Sequence, residues 1–396
     1  MRGEEVPVSS PVVTADVAVI GAGAIGLASA WKIAQQGGRV VVLDDAIGRG
    51  ASWAAAGMLA PVTEVHHGEE ALLHLNLESS RMYEQFAAEL EEASGCNVGY
   101  RRCGTLLVAR DRDDNAALEE VYRFQTRLGL PVERLRSGQC REVEPALAPN
   151  VRGGILVPGD HQVDNRALLA ALEGACKRQG VQFVPARASK VEVQHGRVSG
   201  VTVGDASIEC DYLVLSAGVW SGGIEGIPDE VRPPLRPVKG QLLHLRRRSS
   251  ALSAAAPLSG HNIRGVDVYL VVRSDGRVVV GATSEEQGFD RTVTAGGVFG
   301  LLRDAYELVP GVTELELTET VAGLRPATPD NAPVIGATAV EGLIIATGHY
   351  RNGILLTPIT AAAVAALVTG SAVPEGIEDF SPRRFERTMA REEVSQ

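Results

Sequence analysis

The stretch Val17-Ala-Val-Ile-Gly-Ala-Gly-Ala-Ile-Gly26, with Asp44 closing the next apolar run, decides the fold. Val17-Ala-Val-Ile20 is apolar at every position, as a parallel strand covered on both faces must be. Gly21, Gly23 and Gly26 then give G-x-G-x-x-G, and residues 25–36 carry a helical pattern that Gly37-Gly38 ends. Residues 39–43 form a second buried strand, finished by Asp44 with Asp45 behind it. Strand, glycine turn, helix, strand and acid together are the context in which this motif holds a dinucleotide. Gly21 permits the tight turn, Gly23 lets a pyrophosphate approach the backbone, and Gly26 lets the helix pack closely on the strand. Ala24 and Ile25 open the helix, whose N–H groups and positive dipole end face the phosphates. Asp44 suits ribose hydroxyls and repels the extra phosphate of NADP. The fingerprint alone does not choose between NAD and FAD.

Outward from this unit the pattern is mixed α/β. Helices are expected at 70–93, 113–128 and 165–179, the last behind Asp164 as N-cap. Hairpins are expected around His195-Gly196 and Ser274-Asp275-Gly276. Buried strands are expected at 212–216 and 343–346, with a helix at 295–308 and a last one at 354–368. The parallel-type pieces lie at both ends and near residue 213, with the hairpins between. The expected fold is therefore a discontinuous Rossmann-type domain with a mostly antiparallel α+β substrate domain inserted. The boundaries read as 16–80, 150–235 and 320–380 for the nucleotide domain and 81–149 and 236–319 for the substrate domain. Residues 1–15 and 381–396 read as tails.

The 396 residues exceed what one domain usually needs. A net charge of −11 argues against nucleic-acid or anionic-membrane partners. Five cysteines, odd in number and without a C-x-x-C pair, argue against a disulfide framework or zinc site and point to a reducing cytoplasm. No metal set is expected: His66, His67 and His74 have no matched carboxylates and read as solvated. Ser216, Ser221 and Ser284 lack a His/Asp set, so a hydrolase reading fails. No apolar run is long enough for a membrane span.

Three further segments bear on the cofactor. Gly50-Ala-Ser-Trp-Ala-Ala-Ala-Gly-Met-Leu59 is small and glycine-rich, so its backbone can reach a pyrophosphate and a flat ring. Ser216-Ala-Gly-Val-Trp-Ser221, with Ala217 and Gly218, ends a strand on small residues. Gly348-His-Tyr-Arg-Asn-Gly-Ile-Leu-Leu356 leads from a strand into the last helix. A helix N-terminus there would stabilise negative charge on a reduced flavin. Together with Gly323-Leu-Arg-Pro326, these segments resemble the glycine oxidase and D-amino acid oxidase family of flavoproteins, over residues 16–380. Ala54-Ala-Ala-Gly-Met58, Gly323-Leu-Arg-Pro326 and His349-Tyr-Arg-Asn-Gly-Ile-Leu355 are most similar to its glycine-oxidising branch, which serves thiamine synthesis.

The resemblance implies FAD contacts at Ala24, Ile25, Asp44, Asp45, Ala51, Ser52, Ala56, Gly57, Met58 and Val191, and at His349, Tyr350, Arg351, Asn352, Gly353, Ile354 and Leu355. It implies non-covalent FAD, because no cysteine follows Cys210 and Ala54 stands where some relatives carry an attaching histidine. It places the substrate-binding groups at Arg325, Tyr269 and Arg351. Their chemistry agrees with that placement. Moving a hydride from Cα to flavin N5 needs the substrate fixed over the ring, and an arginine fork grips a carboxylate bidentately. Tyr269 offers its hydroxyl from a hairpin strand. Arg351 either touches substrate or flavin, or pairs with a structural acid. Lys239 either sits near the flavin or reaches solvent.

The activity so implied is oxidation of glycine, sarcosine or a small D-amino acid. Oxygen is the electron acceptor, and imine or glyoxylate, ammonia and H2O2 are the products. The imine would feed the thiazole of thiamine. The resemblance also implies a homo-oligomer, with a tetramer as the family's form. A dehydrogenase passing electrons to a quinone and an FAD-binding redox sensor are the alternatives.

Overall fold

A computed structural model describes residues 13–247 and 258–385. The strand that begins the fingerprint runs over Val13–Ile20. It pairs in parallel with Val40–Leu43 on one side and with Ala206–Leu215 on the other. The sheet continues outward to Gln182–Val184 at one edge, and to Leu343–Thr347 and then Val334–Ala337 at the other. Only that last pairing on this path is antiparallel. Helices Ala24–Gln35, Glu70–Ser94, Asn165–Arg178 and Thr357–Thr369 cover one face. Trp31, Tyr83, Leu168 and Val364 meet in that core. Burial on both sides explains why these strands read as continuous apolar runs. The hairpin Lys190–Gln194 and Arg197–Val203 branches off Ala206–Leu215. His195 and Gly196 both have positive φ at its turn, as a two-residue turn matched to strand twist requires.

The second sheet has eight strands. Two long ones, Arg236–Arg246 and Glu316–Ala327, run antiparallel along their whole length. Next come Arg277–Gly281, Tyr269–Val272 and Asn262–Arg264, and then Thr105–Ala109, Gly153–Val157 and Glu133–Arg136. Every pairing is antiparallel except Asn262–Arg264 with Thr105–Ala109. The mixed architecture of a parallel nucleotide-type sheet and a mostly antiparallel second sheet is thus present.

The expected boundaries need correction. Residues 13–15 belong to the first strand and are not tail; residues 1–12 and 386–396 lie outside the described residues. Residues 381–385 are anchored: Arg384 donates to Asp330 at 2.8 Å, and Phe385 packs on the first sheet's core. The second half of Glu70–Ser94, expected in the substrate half, buries Tyr83, Phe86 and Leu90 against the nucleotide-side helices. Conversely, Gly153–Val157 and residues 320–327 belong to the second sheet. An apolar strand carries no local mark of which sheet it will join, because its hydrogen-bond partner is far away in sequence. The last helix begins at Thr357, later than expected, because residues 349–356 form turns.

Candidate functional site

The first sheet's glycine turn is built by exclusion. A Cβ on Gly21, whose φ is +106°, would lie 2.5 Å from the Ser216 carbonyl oxygen. One on Gly26 would lie 1.9 Å from the Gly21 oxygen and 2.6 Å from Ser216 Oγ. Ser216 Oγ donates to the Ile20 and Gly21 carbonyls at 3.0 and 3.2 Å, clipping the two strand ends together. Gly26 therefore backs the turn and does not line the cavity.

That turn opens a cavity of ≈ 590 Å³ with walls from both sheets. Gly21, Gly23, Ala24 and Ile25 form its nucleotide end, with Asp44 and Asp45 beside them. Asp44 accepts from the N–H groups of Ala22 and Ala46, both at 2.7 Å, so its carboxylate is fixed at the cavity edge. Asp45 pairs with Arg187 at 2.9 Å. Ser52 Oγ accepts from Ala24 N–H at 3.1 Å, joining the Gly50–Leu59 segment to the helix start. Val191 departs from expectation. It is fully buried inside the first sheet's other core, and Arg187 and Ala188, just before its strand, form the wall instead.

Ala51, Ser52, Ala56, Gly57 and Met58 line the middle of the cavity with Ala217 and Gly218. Nothing local in the sequence marks what holds this segment. Arg273, buried at the start of the Ser274-Asp275-Gly276 turn, donates to the Ala56 and Val163 carbonyls, both at 2.7 Å. Gly323 lets the strand Glu316–Ala327 pass close by, since a Cβ there would meet the Ala54 Cβ at 2.6 Å.

His349 to Leu355 close the opposite wall. Burial pushes the His349 imidazole down to about 3, so it is neutral, and its Nε2 lies 3.0 Å from Thr360 Oγ1. Backbone bonds run from Asn352 N–H to His349 O, Leu356 N–H to Asn352 O and Thr357 N–H to Ile354 O. The N–H groups of Gly353, Ile354 and Leu355 have no partner among the described residues. Three successive free donors ahead of a helix N-terminus make a wall suited to a partial negative charge.

The far end of the cavity lies on the second sheet. Arg325 faces Val238 across the strand pair, and its guanidinium lies over Gly240, where a Cβ would sit 2.3 Å from Nη2. Nη1 donates to the Thr283 carbonyl at 3.1 Å. No carboxylate lies within 4 Å of Arg325 among the described residues. Tyr269 is paired with Gly281, and a Cβ on Gly281 would lie 2.4 Å from the Tyr269 hydroxyl oxygen. Burial raises Tyr269 to about 12 against the opposing pull of Arg325, so the phenol keeps its proton. Two glycines on facing strands thus make room for the guanidinium and the phenol.

Arg351 also lines the cavity, but it faces acids: Glu64 at 3.7 Å and Glu69 at 3.9 Å. Glu64 pairs more closely with Arg264, at 2.6 Å. Burial opposes the Glu64 charge, yet Arg264 and Arg351, with a smaller pull from Arg325, hold its carboxyl below the usual range. Neither Glu64 nor Arg264 was marked by the sequence. They are brought together by a loop and a short strand two hundred residues apart. Lys239 is neither beside the cavity nor in solvent: it is buried and bound to Asp290 at 3.0 Å and Glu285 at 3.2 Å.

The geometry suits an elongated ligand with a diphosphate at one end, a flat ring in the middle and a small anion beyond it. Residues 16–367 match the family model described as DAO, FAD dependent oxidoreductase. The chain is 35% identical over 379 residues to the bifunctional protein ThiO/ThiG of Trichormus variabilis, covering 94% of this chain and 56% of that protein. It thus spans about half the length of that relative. It is 34% identical over 379 residues to glycine oxidase of Geobacillus kaustophilus, covering 93% of this chain and 97% of that one. The crystal structure of the Geobacillus enzyme superposes with a TM-score of 0.85, covering 93% of this chain and 98% of that one. The residues around the cavity fit FAD: the glycine cradle and helix start would suit its diphosphate, and the free N–H groups at 353–355 would suit the electron-rich edge of its ring. The chain belongs to the DAO family of FAD-dependent oxidoreductases.

Proposed function

We propose that the protein oxidises the C–N bond of glycine, with sarcosine and small D-amino acids as further substrates. Oxygen is the acceptor, H2O2 is released, and the imine is hydrolysed to glyoxylate and ammonia or passed to thiazole synthesis for thiamine. The observation that carries this reading is Arg325, a guanidinium on the cavity wall with no acid within 4 Å among the described residues, next to a protonated tyrosine. A half-buried cation with no close counter-ion calls for an anionic ligand. FAD, when bound, supplies the acceptor for a hydride from the substrate Cα.

The chain's own residues orient the substrate. Arg325 holds the carboxylate through its fork, and the Tyr269 hydroxyl donates to the same group. The small residues Ala56 and Gly57, held by Arg273 through Ala56 O, keep the middle of the cavity flat. Neutral His349 fills the wall without adding charge. Non-covalent attachment is supported by Ala54 and by the lack of cysteine after Cys210. A cytoplasmic homo-oligomer, a tetramer in the family's manner, is the setting this resemblance favours.

The visible spectrum of the purified protein before and after anaerobic glycine tests the reading. A yellow protein that bleaches, then regains colour in air with peroxide release, is expected. Bleaching without rapid reoxidation in air would shift the reading to a dehydrogenase with another acceptor. A protein that stays yellow with glycine, sarcosine and D-alanine would overturn it.

A further inference from the structure

The substrate end holds more cations than one carboxylate requires. Arg325, Arg351 and Arg264 converge there, and Glu64 lies among them. Glu64 Oε1 accepts from Arg264 Nη1 at 2.6 Å, and Oε2 lies 3.7 Å from Arg351 Nε. That Arg351 Nε is buried and has no hydrogen-bond partner. Glu69 approaches Arg351 from the other side at 3.9 Å. Arg325 also acts on Glu64, but from farther off than Arg264 and Arg351 and with no carboxylate within 4 Å among the described residues, so three guanidinium charges against two carboxylates leave Arg325 as the cation without a close partner.

Glu64 is not a mobile surface acid. Its side chain is 14% exposed, and the loop before it is fixed. The fully buried Asp160 carboxylate accepts from Val62 N–H at 3.1 Å, Thr63 N–H at 2.7 Å and the Thr63 hydroxyl.

We propose that Glu64 is a specificity-determining residue that confines the site to amino acids bearing a single carboxylate, by occupying Arg351 and Arg264 so that only Arg325 is free to bind an anion. The inference rests on the amine-oxidase reading above. A substrate with a second carboxylate would have to place it near Glu64, where like charge repels it, or displace Glu64 from a close pair with Arg264. Without the Glu64 charge, Arg351 becomes a second anion receptor in the cavity wall, with an Nε already free to donate. Arg264 does not line the cavity, so Arg351 is the receptor that would be exposed.

The test compares iminodiacetate with its monoamide, which has the same shape and one charge fewer, as competitive inhibitors of sarcosine oxidation by the FAD-loaded full chain. In the native protein the diacid is expected to bind about tenfold or more weakly than the monoamide. Glu64→Gln should close that gap, and adding Arg351→Met to Glu64→Gln should reopen it. Equal or tighter binding of the diacid by the native protein overturns the proposal, and this arm needs no variant to fold. A gap that persists in Glu64→Gln also overturns it, as does one that stays closed in the double variant. Failure of sarcosine and glycine to bleach the native flavin is a separate result, and it strikes the oxidase reading itself.

Discussion

Replacing Arg325 by methionine removes the fork while keeping much of the side-chain volume. The magnitude follows from the site. Nη1 is occupied by the Thr283 carbonyl, and Nη2 and Nε remain free for a carboxylate. Two charge-assisted bonds of about 1.5–3 kcal/mol each, reduced because Arg325 is only half-buried, give about 3–4 kcal/mol. That corresponds to a loss of roughly 10²–10³ in kcat/KM. Because the fork grips a group that does not react, most of the loss should appear in KM. The assay is steady-state peroxide formation against glycine concentration, with the flavin spectrum recorded in parallel. FAD should stay bound, since Arg325 lies beyond the nucleotide walls. The structure supplies an independent second perturbation. A Cβ at Gly240 would lie 2.3, 2.6 and 2.7 Å from Nη2, Cζ and Nη1 of Arg325, so Gly240→Ala must displace the guanidinium without deleting it. About tenfold weaker glycine binding is expected there. If Arg325→Met keeps kcat/KM within about threefold of the native value, the carboxylate-clamp argument is wrong.

Gly281→Ala should act on the other half of the clamp, because its Cβ would lie 2.4 Å from the Tyr269 hydroxyl; KM for glycine should rise while the flavin spectrum is unchanged. Gly26→Ala should abolish FAD binding, as its Cβ would meet the Gly21 oxygen at 1.9 Å; a colourless apoprotein checks this, and normal flavin content would contradict it. Asp160 gives a stability prediction with a definite sign. Burial raises its carboxyl to about 7 in the folded protein, from about 3.9 in the unfolded chain. Its contribution is therefore fully present below about pH 4 and lost as pH rises through about 7, by up to about 4 kcal/mol. Thermal melts should show Tm falling from pH 5 to pH 8, with a smaller slope in Asp160→Asn; equal slopes would refute this. Tyr269 stays protonated to about 12, so a loss of kcat/KM between pH 8 and 10 must persist in Tyr269→Phe.

How much of this was legible in advance depends on the range of the interaction. The fingerprint turn is local. Gly21, Gly26, the helix behind them and Asp44 obey rules that act within about thirty residues, so the parallel core and nucleotide end were readable. Arg325 and Tyr269 were placed by resemblance, and the fold brings them to one cavity. Sheet membership was not readable at Gly153–Val157 or Glu316–Ala327. A buried strand looks alike in either sheet, and only its distant partner decides. Val191 sits off the cavity wall for a related reason: three residues separate the wall at Ala188 from the interior of a hairpin.

The sequence by itself determined a nucleotide-binding βαβ unit, an acidic chain without a metal-ligand pattern, and an arginine in a Gly-x-Arg-Pro context. Only the tertiary structure decided which charges remain free. Arg264, Arg351 and Arg325 are all cationic, and nothing in their local sequence says which will be paired. Glu64 reaches two of them from a loop two hundred or more residues away, and leaves the third to the cavity. Charge pairing over a few ångströms depends on positions in space, and those are set by the packing of the two sheets.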